Sequence, residues 1–179
     1  MFVAFLRGIN VVGKKVISMA RLRTLFDALD FENARTHLNS GNVIFASDEK
    51  DRAKFADRIG EAVEKEFGFR PAIMIRDAAA IRRILKRNPF REMAESDPSH
   101  LFVTMLAAKP GKGAAKRLAD AYQGPEEFRI SGEEAYITYP NGVGKSKLTN
   151  ALLEKHLGVA GTARNWNTVA KLLGMAEGK

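Results

Sequence analysis

The chain has no cysteine among its 179 residues, three histidines and a single tryptophan. Without thiols there are no disulfides, no thiolate metal ligands and no cysteine nucleophile, and the composition fits a reducing compartment. His37, His100 and His156 stand far apart with neither HxH nor HxxxH spacing, so no metal site is expected. Long apolar runs are missing too. No segment approaches the roughly 20 apolar residues of a membrane-spanning helix, and Arg7 interrupts the first apolar stretch too early for a signal sequence. There is no GxSxG elbow and no aspartate run suited to two-metal chemistry. The expectation is a cytoplasmic protein with no membrane partner, no cofactor and no recognisable catalytic engine.

Positive charge is abundant: the net charge is +8 and the isoelectric point about 9.8. The excess is spread over both halves rather than gathered in a tail. Such a balance favours nucleic acid or a phosphorylated small molecule as partner, although a basic solvated surface accounts for it equally well. At 45% apolar content the chain can bury one large core or two small ones.

Phe2 to Leu6 is a short apolar run that reads as a central strand. Ser18 precedes Met19, Leu22, Leu25, Phe26 and Leu29 at helical spacing. Ala34–Leu38 and Val43–Phe45 flank the turn residues Asn39-Ser40-Gly41-Asn42, which predicts a hairpin. Asp51 to Phe67 repeats an apolar residue every fourth position and ends at Gly68. Pro71–Ile75 then reads as a fourth strand, and Arg76-Asp77 opens a further helix that ends at Asn88-Pro89. The order βαββαβ is that of a ferredoxin-like fold. Arg91 to Ser99 is polar and reads as a connector.

The second half runs through the same order. Leu101–Leu106, Glu127–Ile130, Ala135–Tyr139 and Val159–Ala163 are its expected strands, with helices over 110–122 and 145–157. Ser131-Gly132 aligns with Ser40-Gly41. Arg164-Asn165 with Val169, Leu172 and Leu173 aligns with Arg76-Asp77 with Ile81, Ile84 and Leu85. The sequence thus predicts an α+β protein of two tandem ferredoxin-like βαββαβ repeats with antiparallel sheets, each followed by an extra helix. The expected domains are 1–92 and 97–179.

In that strand order the end of the first strand meets the start of the third. Arg7, Gly8, Asn10, Lys14 and Lys15 would then share an edge with Asn39, Ser40, Gly41 and Asn42. Glycine-exposed backbone, a guanidinium fork and mobile ammonium groups suit a phosphate or carboxylate. The competing reading gives the glycines to turns, the asparagines to Asx-turns and Arg7 to a neighbouring carboxylate. Arg164, Asn165 and Asn167 surround the sole tryptophan, Trp166, which either anchors the last helix or offers a stacking face. Arg82, Arg83, Lys86 and Arg87 form a basic helical stripe, either a phosphate track or a solvated face. Gly144-Lys145-Ser146 imitates a P-loop, but the motif GxxxxGK(S/T) needs glycine where Tyr139 stands.

Three stretches together carry a resemblance: Phe5-Leu6-Arg7-Gly8-Ile9-Asn10-Val11 with Gly13-Lys14, Leu38 to Phe45, and Arg164-Asn165-Trp166-Asn167-Thr168-Val169. They resemble the LRGINVGG-like start, QSGNV-like hairpin and RNWNT-like helix start of the bacterial family called domain of unknown function 1697. Val12 stands where many members carry glycine, and Asn39 where glutamine is common. The resemblance spans nearly the whole chain and implies a duplicated ferredoxin-like α+β protein of bacterial origin, with no established activity. On chemistry, the leading expectation is an anion-binding module for nucleic acid or a nucleotide. The alternatives are an enzyme acting on a small phosphorylated or carboxylated substrate, and a structural or interaction protein.

Overall fold

The computed structural model describes residues 1–11 and 15–178. Among these the protein is mixed α+β, with two four-stranded antiparallel sheets and seven α-helices. No helix among the described residues is long and apolar enough to cross a membrane. The chain forms two compact units. One is Met1–Arg83 with the C-terminal residues from Lys171, the other Ile84–Ala170.

The first unit contains β1 (Phe2–Leu6), α1 (Met19–Ala28), β2 (Glu32–His37), β3 (Asn42–Ala46), α2 (Arg52–Phe67) and β4 (Ile73–Asp77). Its sheet order is β2-β3-β1-β4. Every residue of β1 is buried, as befits a strand paired on both sides and covered on both faces. Phe2, Ala4 and Leu6 face α1 and α2, where Leu22, Phe26, Phe55 and Ile59 complete the core. Five phenylalanines interlock there: Phe31 and Phe45 lie 4.6 Å apart, and Phe2 meets Phe55 edge-on at 4.9 Å. Each such pair adds about 1 kcal/mol beyond its burial. Ser18 caps α1 by accepting from the Arg21 amide at 3.1 Å. Gly68 ends α2 in the left-handed conformation at φ 77°.

The boundary between units falls within α3 (Ala78–Lys86). Then come α4 (Arg91–Ser96), a 3₁₀ turn at Pro98–His100, β5 (Leu101–Leu106) and α5 (Ala114–Ala121). They are followed by β6 (Phe128–Ser131), β7 (Glu134–Thr138), α6 (Asn150–Leu157), β8 (Gly161–Asn165) and α7 (Trp166–Ala176). The second sheet has the order β6-β7-β5-β8, the same pattern shifted by four strands. Leu106, Ala135 and Ile137 pack against Leu118, Leu153 and Leu157 from α5 and α6.

Several boundaries differ from the sequence reading. The polar connector over residues 91–99 contains a helix that was not expected, α4, which fills most of it. None of its residues is buried, so there was no apolar stripe to betray it. The helix expected from Lys145 starts at Asn150, where Thr149 caps it by accepting from the Leu152 amide. The repeat alignment at the hairpin shifts by one residue. Leu6 donates to the Gly41 carbonyl at 2.8 Å and Leu106 to that of Glu133 at 2.9 Å, so Glu133 is the counterpart of Gly41. Finally, Arg76 and Arg164 do not open helices. Each lies inside a strand, while the short polar residue after it, Asp77 or Asn165, caps the helix as expected from these pairs.

Candidate functional site

Loops of the first unit converge at one end of its sheet. Arg7 donates its backbone N–H to Ala72 at 2.9 Å, and Leu6 donates to Gly41 at 2.8 Å. The segment after β1 thereby sits between the β2–β3 turn and the segment before β4. Gly41 is required here. Its φ is +79°, and a Cβ would stand 2.7 Å from Ile9 Cδ1 and 3.0 Å from Leu6 Cβ.

Asn10 holds the loop shut. Its Nδ2 donates to the Ile17 carbonyl at 3.0 Å and the Asn39 carbonyl at 2.8 Å, while its Oδ1 accepts from the Ile17 amide at 2.8 Å. One amide thus closes the β1–α1 connection and ties it to the hairpin tip. Asn42 does the same inside the hairpin. It is fully buried, and its Nδ2 donates to the His37 carbonyl at 2.9 Å and to Ser40 Oγ at 3.1 Å. Gly8, Lys15, Asn39 and Ser40 are exposed around these braces, and Arg7 is half-buried. The Lys15 ammonium stands 5.4 Å over the Phe69 ring. Lys14 lies outside the described residues.

The equivalent end of the second sheet has a different make-up. Ala107 occupies the place of Arg7, donating to the Ala160 carbonyl at 2.9 Å as Arg7 does to Ala72. Glu134, paired with Met105, occupies the place of Asn42, paired with Phe5. The fold itself therefore demands neither the guanidinium nor the amide.

Arg164, Asn165 and Asn167 belong to the second unit. Arg164 is buried, with Nη1 donating to Thr162 Oγ1 at 2.6 Å and to the Ala163 carbonyl at 2.8 Å. Loss of hydration draws its pKa down to about 10, so the group stays cationic at neutral pH. Asn165 donates to the carbonyls of Pro98 at 3.2 Å and Ser99 at 2.8 Å, and its Oδ1 caps α7 by accepting from the Asn167 amide at 3.0 Å. Asn167 is exposed and Trp166 half-buried.

Two polar clusters carried no sequence motif. Asp97 Oδ1 accepts from Ser99 Oγ at 2.6 Å, and Oδ2 meets His100 Nδ1 at 2.5 Å. Hydrogen bonds from Ser99 and His100 hold that carboxyl below its usual range. The composition is that of a hydrolytic triad but the geometry is not. Ser99 Oγ faces the same Nδ1 at 3.3 Å, leaving no imidazole nitrogen aligned to take the serine proton. The other cluster centres on buried Glu126, which accepts from the Tyr122 hydroxyl. Among the described residues no group of three acidic or histidine side chains is placed to hold a metal ion.

Comparison with known proteins adds kinship without an activity. None of the curated proteins matches the chain. Among solved structures, the conserved bacterial protein SP0830 from Streptococcus pneumoniae matches with a TM-score of 0.68 at 21% identity, over 98% of this chain and 97% of that one. That likeness speaks for the fold alone. The model of a protein family of unknown function, DUF1697, matches residues 1–136. The chain therefore belongs to the DUF1697 family.

Proposed function

We propose that the first unit binds an anion, either a nucleic acid or a nucleotide, using the rim of the Arg7–Lys15 loop and the neighbouring β2–β3 turn. In this reading Arg7, Lys15, the Gly8 backbone and the Asn39–Ser40 turn contact the ligand, joined by Lys14. Asn10, Gly41 and Asn42 build the surface that presents them. The observation that carries the reading is the contrast between repeats. The second unit forms the same sheet end with Ala107 and Glu134 in place of Arg7 and Asn42. The duplicated sheet end thus forms without that guanidinium, which makes Arg7 a feature of this copy rather than of the fold. Fluorescence anisotropy with single-stranded RNA, single-stranded DNA and duplex DNA across a salt series tests it. The expected result is binding that weakens with salt, a salt slope reduced by about one per cation in Arg7→Ala and Lys15→Ala, and uniform loss across sequences. Absence of binding at low salt, or an unchanged isotherm for Arg7→Ala, would remove the proposal.

The architecture supports a related reading: a tandem duplication of a ferredoxin-like unit, divided as 1–92 and 97–179. Its support is the shared strand order and the capping of the following helix by Asp77 in one copy and Asn165 in the other.

A further inference from the structure

A second feature of the first unit plays no part in the reading above. The outward faces of α1 and α2 do not close on each other. Arg21, Leu25 and Ala28 follow one another at i, i+4 and i+7 on α1, as do Arg58, Ala62 and Lys65 on α2. Ala28 and Ala62 line the gap, and methyl groups are too short to fill it. A groove of about 580 Å³ remains, with Leu25 and Leu29 also in its lining. The counterpart helices α5 and α6 pack side by side, so the duplicated fold does not impose such a gap.

The charges around this groove are unevenly satisfied. Arg21 is ion-paired with Glu66, and Glu61 lies 3.8 Å from Arg70. Arg58 is fixed but not neutralised. Its guanidinium stacks 4.9 Å over Phe31 and donates Nη2 to the Leu29 carbonyl at 2.7 Å, leaving further N–H donors. Among the described residues neither Arg58 nor Lys65 has a carboxylate within 4.0 Å. An apolar lining of small-molecule size beside two unneutralised cations has the chemistry of a ligand pocket. A polyphosphate would meet the Glu61 and Glu66 carboxylates, whereas a single anionic head would not need to approach them.

We propose that the α1–α2 groove binds a small amphipathic anion, its carboxylate held by Arg58 and its aliphatic body lying over Leu25, Ala28, Leu29 and Ala62. Amide chemical-shift titrations of the full chain with octanoate, 1-octanol and inorganic phosphate test this. Octanoate should move the amides of Thr24, Ala28 and Ala62, octanol should bind much more weakly, and phosphate should leave them unmoved. Arg58→Gln should weaken octanoate about tenfold or more through loss of a charge-assisted contact. Ala62→Leu, which fills the groove, should abolish binding, with Ala28→Leu as an independent second filling variant. Lys15→Ala should leave octanoate binding untouched, which separates this site from the rim. Octanol binding as tightly as octanoate, shifts confined to other surfaces, or undiminished binding in both filling variants would each overturn the proposal.

Discussion

Arg76 and Arg164 occupy one and the same position of the two sheets. Arg76 pairs with Val3 of β1 and Arg164 with Val103 of β5. Both are buried, and each donates Nη1 to the carbonyl of the residue before it, Ile75 at 3.0 Å and Ala163 at 2.8 Å. A charge kept inside each copy at the same register argues that it completes the sheet edge rather than serving a ligand.

Arg164→Ala should therefore destabilise the protein by about 3 kcal/mol, in the range for truncating a long buried side chain and stranding its hydrogen-bond partners. Arg76→Ala should cost a similar amount. Arg164→Lys should recover little, because one ammonium cannot reproduce the planar fork toward Thr162 and the backbone. Urea denaturation of the three variants measures this. A fully stable Arg164→Ala protein would release the residue for another role.

Thr104 presents the opposite case. It is 1% exposed, and its hydroxyl has no hydrogen-bond partner. Its counterpart in the first unit is Ala4, which brings no hydroxyl to bury. Thr104→Val keeps the β-branched shape, preserves contacts such as that with Gly161, and removes an orphaned polar atom. The expected gain is about 1 kcal/mol, read as a higher thermal midpoint.

These positions also show what the sequence could and could not disclose. Apart from α4, the element order, the Ser18 cap and the glycine stop at Gly68 were legible because they depend on local chemistry. The convergence of the first strand's exit with the hairpin followed from strand order. Register was not legible. An arginine at the end of an apolar run reads as the end of the strand, yet long-range pairing carries β4 through Arg76 and β8 through Arg164. Nor could composition reveal that Asn10 and Asn42 spend their amides on backbone carbonyls, or that Ala28 and Ala62 face an open groove. Both depend on which segments come together.

The two braces at the rim are separable by experiment. Asn42→Ala strands the His37 carbonyl and leaves a small void in a buried hairpin, so it should cost about 2 kcal/mol in global stability. Asn10→Ala frees the Ile17 N–H and the carbonyls of Ile17 and Asn39 at a more exposed site. Its global cost should be smaller, about 1 kcal/mol, with its effect concentrated in faster hydrogen exchange at the Ile17 amide. Equal protection of that amide in both proteins would show that the loop holds its shape without the brace.

The acid limb of stability should report Glu126. Glu126 is 7% exposed. Burial pushes its pKa up, but hydrogen bonds from Ser146 and Tyr122 push it down further, so the net displacement is below the ordinary value of 4.5. A carboxyl depressed in the folded state stabilises the protein fully above its unfolded pKa, and that contribution fades as pH falls through the folded pKa. Stability should therefore decline on acidification from about pH 4.5 downward, and Glu126→Gln should flatten that part of the profile while lowering stability at neutral pH. Gly124→Ala is a second route to the same contact. Its Cβ would stand 2.0 Å from the Tyr122 hydroxyl, so the ring must swing away and release Glu126. Denaturation of wild type, Glu126→Gln and Gly124→Ala from pH 7 to pH 3 reads the outcome. Parallel acid limbs in all three would place the proton uptake on other carboxylates.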